Sequence, residues 1–249
     1  MNDPLDDPGR TVPTRTVLAR AEDEHGEIVL CRRGEVFELV VDGVFAMDTT
    51  HTATEEALAT LTLTRLPDPG SGPGSGSGPG SGPGSGFRVL VGGLGLGFTT
   101  ATLLADPRVG EVEVVELHPA LVEWIGQGLV PTAKGLLDDP RVIVRTGDVA
   151  DVVPTLPRDR LDALLLDVDN GPGFLTHAGN TTVYSAPFLV TAARAVRRGG
   201  VLGVWSADRA PELAVALERA CGECEEILLD VTRDGRTFTY VVYLARVVR

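Results

Sequence analysis

The chain lacks the features that mark membrane, secreted and nucleic-acid-binding proteins. No run reaches the roughly 18 consecutive apolar residues of a membrane-spanning helix. The acidic start, Met1-Asn-Asp-Pro-Leu-Asp-Asp7, is without the basic residues of a signal peptide. Only three cysteines, Cys31, Cys221 and Cys224, occur in 249 residues. That is too few for a disulfide framework, and an odd number fits free thiols in a reducing compartment. Cys221 and Cys224 have the spacing of half a zinc knuckle, but no second ligand pair lies near them and the four histidines are scattered, so no metal site is expected. Basic residues are also few, 22 Lys and Arg against 35 Asp and Glu, which leaves a formal charge of −13. Such a surface repels phosphate backbones, arguing against a nucleic-acid partner and for a small or cationic one. These absences together predict a cytoplasmic protein with no membrane partner. Aromatic residues are scarce, so Tyr184 and Trp205 are expected in the core or in a pocket wall.

The chain present divides into four segments. Residues 1–15 are rich in Pro and Asp without hydrophobic period and read as a disordered tail. Residues 16–66 read as a small β-domain with a helix leading from it. Its short β-runs cover Glu27 to Arg32, Glu35 to Val41 and Val44 to Met47, with turns at Arg33-Gly34 and Asp42-Gly43. Thr52 to Leu61 reads as the helix, with Thr54 able to cap it and Glu55 and Glu56 in its first turn. Residues 67–86 are almost entirely Gly, Ser and Pro, which bury too little apolar surface to offset the entropy of ordering, and are expected to form a flexible linker. A phosphate-binding P-loop would end in Gly-Lys-Ser/Thr, and none does.

Residues 87–249 alternate strand and helix, the pattern of a mostly parallel sheet covered on both faces. Strands are expected at Val89–Val91, Glu113–Leu117, Val142–Arg145, Leu161–Leu166 and Val201–Trp205. Helices are expected from about Thr99, from Pro119, over Phe188–Val196 and over Pro211–Ala220. Ile227–Val231 and Thr237–Leu244, joined at Asp234-Gly235, form a hairpin that puts an antiparallel last strand in the sheet.

In an open α/β sheet the ligand crosses the carboxyl ends of the strands, so the polar residues at those ends are the candidates. Gly93, Gly95 and Gly97 follow the first strand, where a glycine turn lets backbone approach a nucleotide-like ligand. Glu116 ends the second strand, placed to accept both ribose hydroxyl protons, with Leu117 beside it. Asp148, followed by Val149, could accept from an adenine amino group or simply cap the next helix. Asp167 would face the reacting end of the ligand. Asp169 and Asn170 follow it in a turn-forming Asp-Asn-Gly-Pro-Gly segment, and His177 lies in the next loop, within reach of acid–base work. His118 precedes a helix-opening proline and is read as shaping that turn. Phe98 stands where a dinucleotide fingerprint needs its last glycine, which disfavours a nicotinamide dehydrogenase.

These residues resemble the spermidine synthase family, polyamine aminopropyltransferases on the adenosylmethionine-dependent methyltransferase fold with a small N-terminal β-domain. The resemblance runs from about Glu35 to the C-terminus. It rests on Gly92-Gly-Leu-Gly-Leu-Gly97, Val115-Glu-Leu-His118, Asp138-Asp-Pro-Arg-Val142, Gly147-Asp-Val149, Asp167-Val-Asp-Asn170 and Arg198-Gly-Gly200, the last matching a turn at the end of a helix. It implies a Rossmann-like, seven-stranded sheet preceded by the β-meander, an adenosyl sulfonium donor held by Gly93, Gly95, Gly97, Glu116, Leu117, Asp148, Val149 and Asp167, and a homodimer. The polyamine positions differ. The glycine-turn acid of the family is Gly95 here, the second acid of the strand-four motif is Asn170, and the N-terminal glutamine, tyrosine and histidine are Ala46, Thr54 and Glu55. Asp169 and Glu55 could restore the lost charge.

A glycine turn without its acid suits the carboxylate of S-adenosylmethionine, which the decarboxylated donor lacks. The leading reading is therefore methyl transfer from S-adenosylmethionine to a small acceptor such as an amine, with Asp167, Asp169, Asn170 or His177 orienting the acceptor or taking its proton. The alternatives are aminopropyl transfer from decarboxylated S-adenosylmethionine to a polyamine, and an inactive family member serving as a binding module.

Overall fold

Four short strands open the described chain, β1 (Arg15–Asp23), β2 (Gly26–Arg33), β3 (Val36–Val41) and β4 (Val44–Asp48), and pair in sequence order as an antiparallel sheet. The computed structural model describes residues 14–67, 86–168, 171–172, 178–233 and 235–248. Nearly all of the segments read as tail and linker lies outside them. β2 to β4 follow the expected β-runs. β1 has no counterpart in the sequence reading because its apolar stripe, Val17, Ala19 and Ala21, is short and mostly alanine, with no residue fully buried and Ala19 and Ala21 half-buried against the core. Its backbone pairing to β2, from Arg15 opposite Arg33 to Asp23 opposite Gly26, is what defines it.

Helix α1 (Ala53–Arg65) carries Glu55 and Glu56 in its first turn, as expected. The cap is not Thr54. The chain enters the helix at Thr52, whose hydroxyl donates to Glu56 Oε1 at 2.7 Å, while Thr54 is buried inside the first turn and donates to Glu55 Oε2 at 2.6 Å. Leu58 and Thr62 of this helix pack on the large sheet against Gly203, where a β-carbon would come within 3.2 Å of Leu58.

The large sheet has seven strands: β5 (Phe87–Gly92), β6 (Val109–Glu116), β7 (Val142–Thr146), β8 (Leu161–Leu166), β9 (Val196–Ser206), β10 (Gly222–Arg233) and β11 (Arg236–Val247), in the order β10-β11-β9-β8-β5-β6-β7. β7, β6, β5, β8 and β9 run parallel, and β11 is antiparallel to both β9 and β10. Strand order reverses at β5, which pairs with β6 on one side and β8 on the other, the switch point at which such sheets bind ligands. Alternate residues of β5 explain the layering. Val89 and Val91 face the core formed with α1, α2 (Phe98–Ala105) and α3 (Pro119–Gly126), and Leu90 faces the core formed with α4 (Val149–Val152), α5 (Ala186–Ala195) and α6 (Pro211–Cys221).

One boundary needs correcting. Arg198-Gly-Gly200 is not the end of a helix: α5 stops at Ala195 and β9 begins at Val196, with Leu161 opposite Val196 but Ala163 already opposite Val201. The intervening residues bulge from the strand, and Gly200 crosses Asp162 so closely that a β-carbon there would lie 2.4 Å from its carbonyl oxygen. All three cysteines are free thiols, and burial, then Glu218, Glu226 and Glu225, push the Cys224 thiol up to about 11. Among the described residues, no helix is long and apolar enough to cross a membrane.

Candidate functional site

The carboxyl ends of β5, β6 and β8 open into one cleft. The N-terminal sheet lines it with Ile28, Leu39, Val41, Ala46 and Met47, α1 contributes Glu55, and the large sheet contributes Gly93, Gly95, Glu116, Leu117, Asp148, Val149, Asp167 and Trp205. Glu116 and Asp167, the two carboxylates predicted to mark opposite ends of a ligand, therefore share a cavity.

The glycine turn leaves β5 at Gly92. Gly93 has φ +93° and runs so close to β8 that a β-carbon would sit 2.2 Å from the Asp167 carbonyl oxygen. Gly95, at φ +51°, lies beneath the thioether of Met47, with its β-carbon position 2.7 Å from Sδ. Glycine is thus required here by close approach of the protein to itself. Gly97 packs towards Leu136 and Ala133. Of the three predicted glycines, Gly93 and Gly95 line the cleft.

Glu116 is 5% exposed, and its carboxylate is fixed by two backbone donors. Leu94 N–H donates to Oε2 and His118 N–H to Oε1, each at 2.8 Å. Burial raises this carboxyl above its ordinary value while those hydrogen bonds pull it back. His118 also lines the cleft, and its Nδ1 lies 3.3 Å from Asp23 Oδ2 at the tip of the β1–β2 hairpin, so it ties the N-terminal sheet to the end of β6. Asp148 fills the capping role, its Oδ1 accepting from Ala150 N–H of α4 at 2.7 Å, and it also lines the cleft.

Asp167 follows β8, with its N–H donating to Gly92 O at 2.9 Å. Thr99 Oγ1 lies 2.6 Å from Asp167 Oδ2 and 3.4 Å from the Glu55 carbonyl, and its single proton belongs to the shorter contact. Burial raises the Asp167 carboxyl, opposed by the Thr99 hydrogen bond. Asp169, Asn170 and His177 lie outside the described residues.

The charge balance separates this cleft from the rest of the molecule. Glu38, Glu113 and Asp162 are buried elsewhere, and each faces arginine: Arg15 and Arg33, Arg145, and Arg197 respectively. The cleft is lined by Glu55, Glu116, Asp148 and Asp167 and by no Lys or Arg among the described residues. Sequence reading missed Met47 and Thr99 as site residues, since neither ends a strand of the large sheet and only the tertiary fold brings them in.

No protein-family model matches the chain. It is similar to polyamine aminopropyltransferase of Mycobacterium tuberculosis (strain ATCC 25618 / H37Rv), 30% identical over 193 residues, covering 76% of this chain and 32% of that protein. It is also similar to putrescine N-methyltransferase 2 of Nicotiana tabacum, 29% identical over 117 residues, covering 46% of this chain and 31% of that one. Among solved structures, spermidine synthase in complex with the transition-state analogue AdoDATO superposes with a TM-score of 0.72 at 17% identity, covering 93% of this chain and 74% of that one. In its fold the chain is spermidine synthase-like. Spermidine synthase from Thermotoga maritima gives a TM-score of 0.71 at 16% identity over 93% of this chain and 73% of its own, and at such identities the likeness is one of fold. This spermidine synthase-like chain spans about a third of the length of the curated relatives it matches.

Proposed function

We propose that the chain is a transferase that methylates a small amine with S-adenosylmethionine. The observation that carries the amine is the acid-lined cleft without Lys or Arg, which favours a cationic occupant. The observation that favours the methyl donor is the glycine turn, where Gly95 offers no carboxylate to repel a donor carboxylate. The putrescine N-methyltransferase relative supports the same reading.

The residues fit an adenosyl group. The Glu116 carboxylate is held at the strand tip by backbone donors with lone pairs to spare for ribose hydroxyls, and Leu117, Val149 and Asp148 supply apolar walls and a polar acceptor for a base. When bound, the sulfonium donor supplies an electrophilic methyl group. Asp167 orients the amine and takes the proton it sheds as the carbon–nitrogen bond forms and the carbon–sulfur bond breaks. Its raised pKa brings its basicity closer to that task, and Thr99 keeps its carboxylate in one orientation. The remaining rate enhancement is positioning within a cleft closed by the N-terminal sheet.

Aminopropyl transfer is the second reading, favoured by the lack of Lys or Arg in the cleft lining, among the described residues, to pair with a donor carboxylate. Incubation with each donor and a panel of diamines and triamines separates them. Methyl transfer releases S-adenosylhomocysteine and an N-methyl amine, whereas methylthioadenosine from the decarboxylated donor alone would overturn the proposal. No product from either donor, with donor binding intact, would leave the binding-module reading.

A further inference from the structure

The glycine turn borders the cleft at Gly93 and Gly95, and three of its backbone N–H groups are committed to oxygen acceptors within the protein. Gly93 N–H donates to Val115 O, Leu94 N–H to Glu116 and Gly97 N–H to Leu94 O, at 2.8 to 2.9 Å. Leu96 N–H differs. It donates to the thioether sulfur of Met47 at 3.2 Å, across from the other sheet. A thioether is a weak acceptor, so this amide is more readily given to a better partner than those of Gly93, Leu94 and Gly97. Met47 is half-buried, lines the cleft and has an unbranched, flexible side chain, so it can withdraw at little expense. The same sulfur lies 2.7 Å from the β-carbon position of Gly95, filling the space that an acidic side chain at this position would require.

We propose that Met47 is a specificity-determining gate for the donor tail. Its sulfur holds the Leu96 amide until a donor carboxylate displaces it. This rests on the reading that an adenosyl donor binds at Glu116 with its tail at the glycine turn. A carboxylated donor gains a charge-assisted hydrogen bond from the released amide and gives up only the weak N–H···S contact. A decarboxylated donor leaves Met47 in place. The choice of donor is thus made by a residue of the N-terminal sheet together with the glycine turn, because the turn alone presents no unclaimed amide at Leu96.

Calorimetry on Met47→Leu and Met47→Gln tests the gate with three probes: S-adenosylhomocysteine, which has the full tail; decarboxylated S-adenosylmethionine, which lacks the carboxylate; and methylthioadenosine, which lacks the amino-acid tail. Leucine keeps the bulk and removes the acceptor, so affinity for S-adenosylhomocysteine should rise about tenfold. Glutamine supplies a stronger acceptor and should lower it by a similar factor. The other two ligands should change less than twofold, which also shows that the pocket is intact. Equal shifts for all three ligands, or no shift for S-adenosylhomocysteine in either variant, would overturn the gate while leaving the nucleoside site standing. If methylthioadenosine fails to bind the unaltered chain, the nucleoside reading falls and takes the gate with it.

Discussion

Replacing Glu116 by glutamine tests the nucleoside site most directly, because the carboxylate surroundings fix what the change removes. Both carboxylate oxygens accept backbone N–H groups, from Leu94 and His118, each at 2.8 Å. A glutamine keeps one carbonyl oxygen and turns its NH2 toward the other N–H, so a buried donor faces a donor. An unsatisfied buried group costs about 1–3 kcal/mol. Removal of a buried charge offsets part of this, since burial already disfavours the ionised form. Net destabilisation should therefore be no more than about 2 kcal/mol, read from urea unfolding. Binding should suffer more. Two ribose hydroxyls lose a charged acceptor, and a hydrogen bond to a charged group contributes about 1.5–3 kcal/mol. A total loss near 3 kcal/mol raises the methylthioadenosine Kd by about 100-fold.

Glu113→Gln supplies the control for that experiment. Glu113 is buried on the same strand, but it pairs with Arg145 outside the cleft lining. It should lower stability and leave nucleoside affinity unchanged. A folded Glu116→Gln protein that binds within threefold of the parent, or a Glu113→Gln protein that loses affinity equally, would refute the assignment of position 116.

Asp167→Asn should reduce turnover by at least about 100-fold, and its stability should reveal the buried charge. A carboxyl whose folded pKa lies above its unfolded value contributes stability below the unfolded pKa, and this is lost as pH rises through the folded pKa. The asparagine variant should therefore gain on the parent as pH rises above the unfolded carboxyl value of about 4; parallel pH–stability curves contradict it. Glu55→Gln should raise KM for a diamine about tenfold relative to a monoamine, with kcat on the monoamine little changed, and equal loss on both acceptors argues against Glu55 facing the acceptor's second charge. Gly93→Ala combines left-handed strain of about 1–3 kcal/mol with collision against backbone, and should prevent Asp167 from seating. Gly95→Ala meets only the flexible Met47 thioether and should cost about 1–2 kcal/mol, a loss that Met47→Ala partly restores; equal urea midpoints for the two alanine variants would contradict this account.

The large sheet was legible because its strands differ in a way that sequence records. β5 and β8 are buried on both faces and, beyond Arg88 and Asp162, read as apolar runs ending at glycine or aspartate. The carboxyl ends of β6, β7 and β8 then supply Glu116, Asp148 and Asp167, because the switch-point rule converts strand order into location. β1 was not legible, since the face it turns to the core is only Ala19 and Ala21 and its pairing to β2 defines it. Nor was the bulge before Val201: Gly-Gly after a helix reads as a stop, and only the passage of Gly200 over Asp162 shows why a strand begins earlier. Met47 and Thr99 escaped for a related reason. A methionine in a β-run and a threonine opening a helix are ordinary core residues until another segment is placed against them.

The cleft acids also explain why such a site would be left incompletely neutralised. At Glu38, Glu113 and Asp162 the fold supplies arginines, which compensate a buried charge fully enough that no ligand is needed. At Glu116 and Asp167 it supplies no arginine but backbone amides, a threonine hydroxyl and, beside Glu116, His118, which orient a carboxylate without a guanidinium to cancel its charge. Neutral donors thus keep the field available, at the expense of folded-state stability that raised carboxyl pKa values register. A cation entering the cleft would recover that stability as binding energy. Burial raises the Glu116 and Asp167 carboxyls, so cationic ligands should accordingly raise the melting temperature more at high pH than at low pH. A melting-temperature shift that is the same at both pH values would mean that the acids are not what the ligand meets.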